Sequence, residues 1–161
     1  MGVSGSGKST LAQYISQQIG AEFIEADNYH PPENIALMRS GTPLTDAHRE
    51  PWIQALCDII KASRSNNVLA YSGLRYEHRQ RFLNLARPCL ILNLNISHTV
   101  VVQRLASRTR HFMPSSLIVS QFAAMDDIRP CEPVKDIHSD MALEQAQTQA
   151  MKYVNAFMAG V

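Results

Sequence analysis

The chain has 161 residues, 45% hydrophobic and 18% charged, with a formal net charge of +1. That is enough for one domain with a proper core, and so neutral a balance carries no electrostatic footprint for nucleic acid or a membrane surface. No apolar run reaches the length of a membrane span, no basic-then-apolar leader is visible, and Cys57, Cys89 and Cys131 match no metal or redox spacing, so a cytoplasmic chain with reduced thiols is expected.

The first element is a motif. Gly2-Val3-Ser4-Gly5-Ser6-Gly7-Lys8-Ser9 reads G-x-x-x-x-G-K-S, a phosphate-binding loop. Its glycines permit the tight turn, and its backbone N–H groups can face phosphate oxygens. Lys8 would reach the β- and γ-phosphates of ATP, and the Ser9 hydroxyl would sit on Mg²⁺. Thr10 then leads into Leu11, Ile15 and Ile19 at helical spacing, with Gly20 as a stop. The loop therefore opens a helix and places phosphate at its positive end.

Residues 21–26 read as a short strand. Pro32 starts a helix that Gly41 ends, and Thr45 or Asp46 caps a longer helix bearing Trp52, Leu56, Ile59 and Ile60. Residues 68–71 form a buried-type strand, a helix follows from about Tyr76, and Cys89-Leu90-Ile91-Leu92-Asn93-Leu94 is the most strand-like run. Ser97 caps the next helix, another begins after Pro114, 134–137 is a weak strand, and a C-terminal amphipathic helix follows from about Ser139. Strands alternating with helices imply a parallel sheet covered on both faces, with ligands beyond the carboxyl ends of the strands.

Polar clusters fall at those ends. Asp27 is placed to orient or deprotonate an acceptor hydroxyl, and Glu25 to hold a water on the metal, a pair that without the loop would read as solvated carboxylates. His30 follows the same strand end. Arg49, Arg75 and Arg79 could together make a pocket for an acidic acceptor, since guanidinium groups bind carboxylates in a bidentate way. Arg104 and Arg108 sit four apart on one helix face. They fit arginines of a closing lid and fit equally a basic helix end that complements the helix dipole.

Several ordered blocks resemble the gluconokinase family of small phosphate-loop kinases. They are residues 1–10; Ala26-Asp27 with His30-Pro31 and Asn34; Gly41-x-Pro43-Leu44 with Asp46, Arg49, Pro51 and Trp52; Ser72, Leu74 and Arg79; and His111-Phe112-Met113-Pro114 with Leu117, Ser120, Gln121 and Phe122. The resemblance implies a three-layer fold like that of nucleoside monophosphate kinases. In it a parallel sheet is flanked by helices, with a small helical lid at about 104–126 of a single domain, 1–161. It implies a cytoplasmic homodimer that phosphorylates D-gluconate at its 6-hydroxyl. Residues 2–10 would bind ATP, and Ser9 and Glu25 would serve Mg²⁺. Asp27, His30, Arg49, Ser72, Arg75, Arg79 and His111 would line the sugar-acid pocket, with Lys8, Asp27, Arg104 and Arg108 as the catalytic set. Tyr71, Gly73 and Arg75 depart from the family pattern, which leaves another small sugar acid, or a non-catalytic nucleotide binder, as alternatives. The family also carries an apolar first strand ahead of the loop. Only Met1 and Val3 stand in for it here, so a truncated product or a start assigned too late is the expectation.

Overall fold

The computed structural model describes residues 1–106 and 116–160. Its elements are α1 (Lys8–Ile19), β1 (Glu22–Glu25), a 3-10 turn (Ala26–Tyr29), α2 (Pro32–Arg39), α3 (Asp46–Ala62), β2 (Asn67–Ala70), α4 (Tyr76–Leu83), β3 (Ile91–Asn95), α5 (His98–Ala106), α6 (Ser116–Ala123), β4 (Val134–His138) and α7 (Leu143–Ala159). Local signals explain the boundaries. Gly20 ends α1 in the left-handed region with φ 65°, its N–H on the Ser16 carbonyl. Pro32 opens α2, where its missing N–H costs nothing. Thr45 caps α3: its side chain accepts the His48 N–H, and its own N–H donates to the His48 ring, so a histidine fills the place usually taken by Glu or Gln.

β1 pairs with β2, and β3 with β4, all parallel. The expected continuous sheet is therefore split into two halves. Met1 and Gly2 bridge them. The Met1 amine donates to the Leu92 carbonyl at 2.5 Å, and the Leu94 N–H donates to the Met1 carbonyl at 2.9 Å. On the other side the Gly2 N–H donates to the Ser72 carbonyl at 2.9 Å. Two hydrogen bonds in the parallel pattern thus reach β3, and a single one reaches the segment just after β2. Behind it lies a cavity of about 550 Å³, lined among others by Leu11 and Ile15 of α1, Val68 and Leu69 of β2, and Ile91 and Leu92 of β3. Burial pushes the Met1 amine from its ordinary value of 8.0 down to about 5, with Lys8 adding to the effect.

Three apolar clusters hold the layers. Leu11 and Ile15 of α1 pack with Leu94, Ile137 and the Ala146, Ala150 and Val154 face of α7. Ile24 and Ala26 pack with Trp52, Ile53 and Leu56 of α3, and with Tyr71. Ile53 and Leu56 are fully buried, each contributing about 1.5–3 kcal/mol by transfer from water. The third cluster, Val3, Leu74, Ile96, Val101 and Ile118, seats the phosphate loop against α5 and α6. Among the described residues no helix is long and apolar enough to cross a membrane.

Candidate active site

Glycine is required where the loop meets α1. Gly7, the N-cap, has φ 97°, a conformation that L side chains resist. Gly2 has φ 141°, and a Cβ there would lie 2.9 Å from Ser6 Oγ and 3.0 Å from the Leu94 carbonyl oxygen. The Leu11 N–H closes the first helical bond onto the Gly7 carbonyl at 3.0 Å. The N–H groups ahead of it form a positive end suited to anions. The Lys8 ammonium donates to the Val3 carbonyl at 2.9 Å, so the side chain lies along its own loop. Glu25 is in hydrogen-bonding contact with Ser9; burial raises its carboxyl above the ordinary range, and the Ser9 contact opposes that.

A cleft of about 390 Å³ runs from Ser4 and Lys8 to α2, α3 and α6. Asp27, His30, Arg49, Ser72 and Arg75 line it together. The 3-10 turn after β1 brings Asp27 to the rim, and His30 follows where that turn ends. Below His30 the aromatic floor continues through Trp52, Tyr71 and Phe82, with Trp52–Tyr71 and Tyr71–Phe82 centroids 5.1 and 5.0 Å apart.

The tautomer of His30 follows from its neighbours. The Asn34 amide nitrogen donates to the His48 carbonyl at 2.8 Å, which fixes the orientation of that amide. The same nitrogen faces His30 Nδ1 at 3.5 Å, so Nδ1 is the acceptor and Nε2 carries the hydrogen. Nε2 lies 3.9 Å from Asp27. Burial keeps the His30 pKa below its ordinary 6.5, with Asp27 opposing and Arg49 assisting, so the ring is neutral at neutral pH.

Asp46 organises the opposite wall. It meets Arg49 at 3.0 Å, Arg75 at 3.9 Å and His78 at 3.7 Å. Arg75 also donates to Asp126 at 3.2 Å. Two guanidinium groups are thus held on one side of the cleft by acidic neighbours that an incoming carboxylate can replace. From α6, Gln121 reaches the loop and accepts the Ser4 N–H at 2.7 Å.

The family model described as "AAA domain" matches residues 1–130. The gluconokinase of Gluconobacter oxydans strain 621H is 38% identical over 154 residues, covering 90% of this chain and 85% of that protein. The chain belongs to the gluconokinase family. The thermoresistant gluconokinase of Escherichia coli K12 is 37% identical over 131 residues, covering 79% of this chain and 74% of that protein. The crystal structure of a gluconokinase from Sinorhizobium meliloti 1021 superposes with a TM-score of 0.88 at 36% identity, covering 97% of this chain and 89% of that one. Its phosphate-loop kinase fold is therefore that of a gluconokinase, although the sheet is split.

Of the residues expected around the acceptor, Arg79 lies outside this cleft. It is 2% exposed. Its Nε and Nη2 donate to the Glu132 carboxylate at 2.6 and 2.9 Å, and its Nη1 to the Gly73 and Leu74 carbonyls at 3.1 and 3.2 Å. Nη2 also donates to the Asp127 carbonyl at 3.1 Å. With these donors engaged, Arg79 braces the loop after β2 from behind. Arg104 turns toward Ser139 in the loop after β4. Arg108 and His111 lie outside the described residues. Asp46, Gln121 and Trp52, which belong to the blocks shared with the family but were not expected as site residues, also line the cleft. For Asp46 a signal existed, an acid three residues before Arg49 on one helix face. Among the described residues no three His, Cys, Asp or Glu side chains cluster as a metal site.

Proposed function

We propose that this protein transfers the γ-phosphoryl group of ATP to the 6-hydroxyl of D-gluconate, giving 6-phosphogluconate. One observation carries the reading: Lys8 of the phosphate loop shares a cleft with Asp27, His30, Arg49 and Arg75. Nucleotide chemistry and acid recognition thus meet in a single space, in a chain of this family.

The loop residues 2–10 hold the ATP phosphates through backbone N–H groups and Lys8. Ser9 and Glu25 fit a Mg²⁺ site of few protein ligands, because they lie side by side at the loop and the ion prefers to keep waters and take phosphate oxygens. Mg²⁺ held by Ser9 and Glu25 would supply neutralisation of the phosphate charge. Lys8 exchanges the Val3 carbonyl for the transferring phosphoryl group. Arg49 and Arg75 take the gluconate carboxylate in exchange for Asp46. His30 Nε2–H donates to a sugar hydroxyl. Asp27 accepts the hydrogen bond of the attacking 6-hydroxyl and takes its proton as the new P–O bond forms and the bond from the γ-phosphorus to the bridging oxygen breaks, releasing ADP. Phosphoryl transfer asks mainly for positioning and charge stabilisation, which these residues provide. The region 104–126 acts as the lid of a single domain, and the enzyme works as a cytoplasmic homodimer, which sedimentation would check.

The test is coupled ADP release from ATP with Mg²⁺ over a panel of gluconate, idonate and shikimate. Gluconate turnover is expected, reduced about 10²-fold or more by Lys8→Ala and by Asp27→Asn. Turnover of another acid without gluconate, or a Lys8→Ala variant working at the parent's rate, would sink the reading.

A further inference from the structure

Ser139 lies in the loop between β4 and α7, far along the chain from the phosphate loop, yet it touches it. The residue is 7% exposed. Its N–H donates to the Asn95 carbonyl at 2.8 Å, which fixes it to the end of β3. Its hydroxyl donates to the Ser6 carbonyl at 2.5 Å. Arg104 of α5 holds it from the other side, with Nη1 on the Ser139 hydroxyl at 3.2 Å and Nη2 on the Ser139 carbonyl at 2.6 Å.

The direction of the hydroxyl bond is decided by chemistry. A guanidinium has donors and no acceptor, so Arg104 occupies a lone pair of the hydroxyl and leaves its one hydrogen for the Ser6 carbonyl. The charge also polarises that O–H and strengthens what it gives. Ser6 is fully buried, so little else competes for its carbonyl. The peptide between Ser6 and Gly7 is planar and trans. Holding its C=O toward Ser139 therefore turns the Gly7 N–H the opposite way, at the N-terminal end of α1 where anions bind.

We propose that Ser139 is a positioning residue for the phosphate loop, with Arg104 setting the direction of its hydrogen bond. The pair acts through the Ser6–Gly7 peptide, which it presents pre-turned to the nucleotide phosphates. This rests on ATP being the ligand of the loop, as proposed above. It gives Arg104 work that needs no direct contact with substrate.

The experiment compares Ser139→Ala and Ser139→Thr with the parent, reading KM for ATP, KM for gluconate, kcat, melting temperature and calorimetric ATP affinity. Ser139→Ala is expected to weaken ATP binding about tenfold and to lower kcat, as loss of one charge-assisted hydrogen bond would. KM for gluconate should stay within about twofold, and Ser139→Thr should recover most of the loss. Arg104→Met in the Ser139→Ala background should add little to the ATP defect. The proposal is overturned if Ser139→Ala binds ATP as the parent does. Equal losses for both substrates alongside a fallen melting temperature, or a threonine no better than alanine, overturn it as well. Calorimetric ATP affinity reads the claim whichever acid the enzyme phosphorylates, so failure of the gluconate assignment is separable from failure of this one.

Discussion

Trp52 and His30 lie face to face, ring centroids 3.9 Å apart and planes 19° apart, while the Trp52 indole N–H donates to the Ala26 carbonyl at 2.7 Å. One side chain of α3 thereby fixes both the end of β1 and the histidine of the cleft. Trp52→Phe keeps an aromatic face but leaves the carbonyl of the fully buried Ala26 without that donor. It should destabilise the fold by about 1–3 kcal/mol and raise KM for gluconate more than KM for ATP. Urea unfolding and steady-state kinetics check both parts, and unchanged values in each would remove Trp52 from the account.

Arg49 and Arg75 should separate acid binding from nucleotide binding. Hydrogen bonds to charged groups contribute about 1.5–3 kcal/mol, so Arg49→Ala or Arg75→Ala should raise KM for gluconate roughly 10- to 100-fold. KM for ATP should hardly move. Lys in place of either arginine keeps the charge without the planar fork and should recover only part of the loss. A neutral acceptor analogue lacking the carboxylate should show no difference between parent and variants.

Arg79 behaves differently, because its work is structural. Arg79→Met strands the Glu132 carboxylate in a buried place and should cost about 3–5 kcal/mol in urea unfolding. The pair also shapes the acid limb of stability. The hydrogen bond from Arg79 holds the Glu132 carboxyl below its ordinary 4.5, with burial working against it. A lowered folded value means the contribution is present above 4.5 and is lost as pH falls through the folded value. Unfolding midpoints against pH should therefore show a shallower acid limb in Arg79→Met than in the parent. A normally stable variant with a selectively raised KM for gluconate would return Arg79 to the substrate.

The Met1 amine makes a second pH dependence with the opposite chemistry. Its folded value of about 5 lies below the ordinary 8.0, so between them the unfolded chain binds the extra proton. Stability should rise with pH across that window and be lower below it. Four valines placed ahead of Met1 would replace the amine with an amide and lay apolar side chains in the cavity. That variant should lose the slope between pH 5 and 8 and unfold at higher urea. An identical slope in both chains would show that another group titrates there.

Much of this was legible in the sequence for physical reasons. Gly20, Pro32 and Thr45 fix helix ends by local rules, and all three act as those rules say. Lys8, Asp27, His30 and Arg49 could be expected near one another because a loop motif and strand ends converge in a parallel α/β layout, and all four line one cleft. Arg79 could not be separated from Arg75 in the sequence because both follow the same strand end, and only burial beside Glu132 tells them apart. Ser139 was unreadable for a similar reason: its partner Ser6 is 133 residues away, and no periodicity encodes a bond of that range.

The split sheet bears on how the molecule opens. With β1–β2 and β3–β4 joined across the gap by Met1 and Gly2, each half can fray as its own cooperative unit before the whole unfolds. The seam between the units passes through the first residues of the phosphate loop. The excursion that parts the halves is thus the one that deforms the cradle. A nucleotide that binds only the intact cradle therefore stabilises the junction between the two halves.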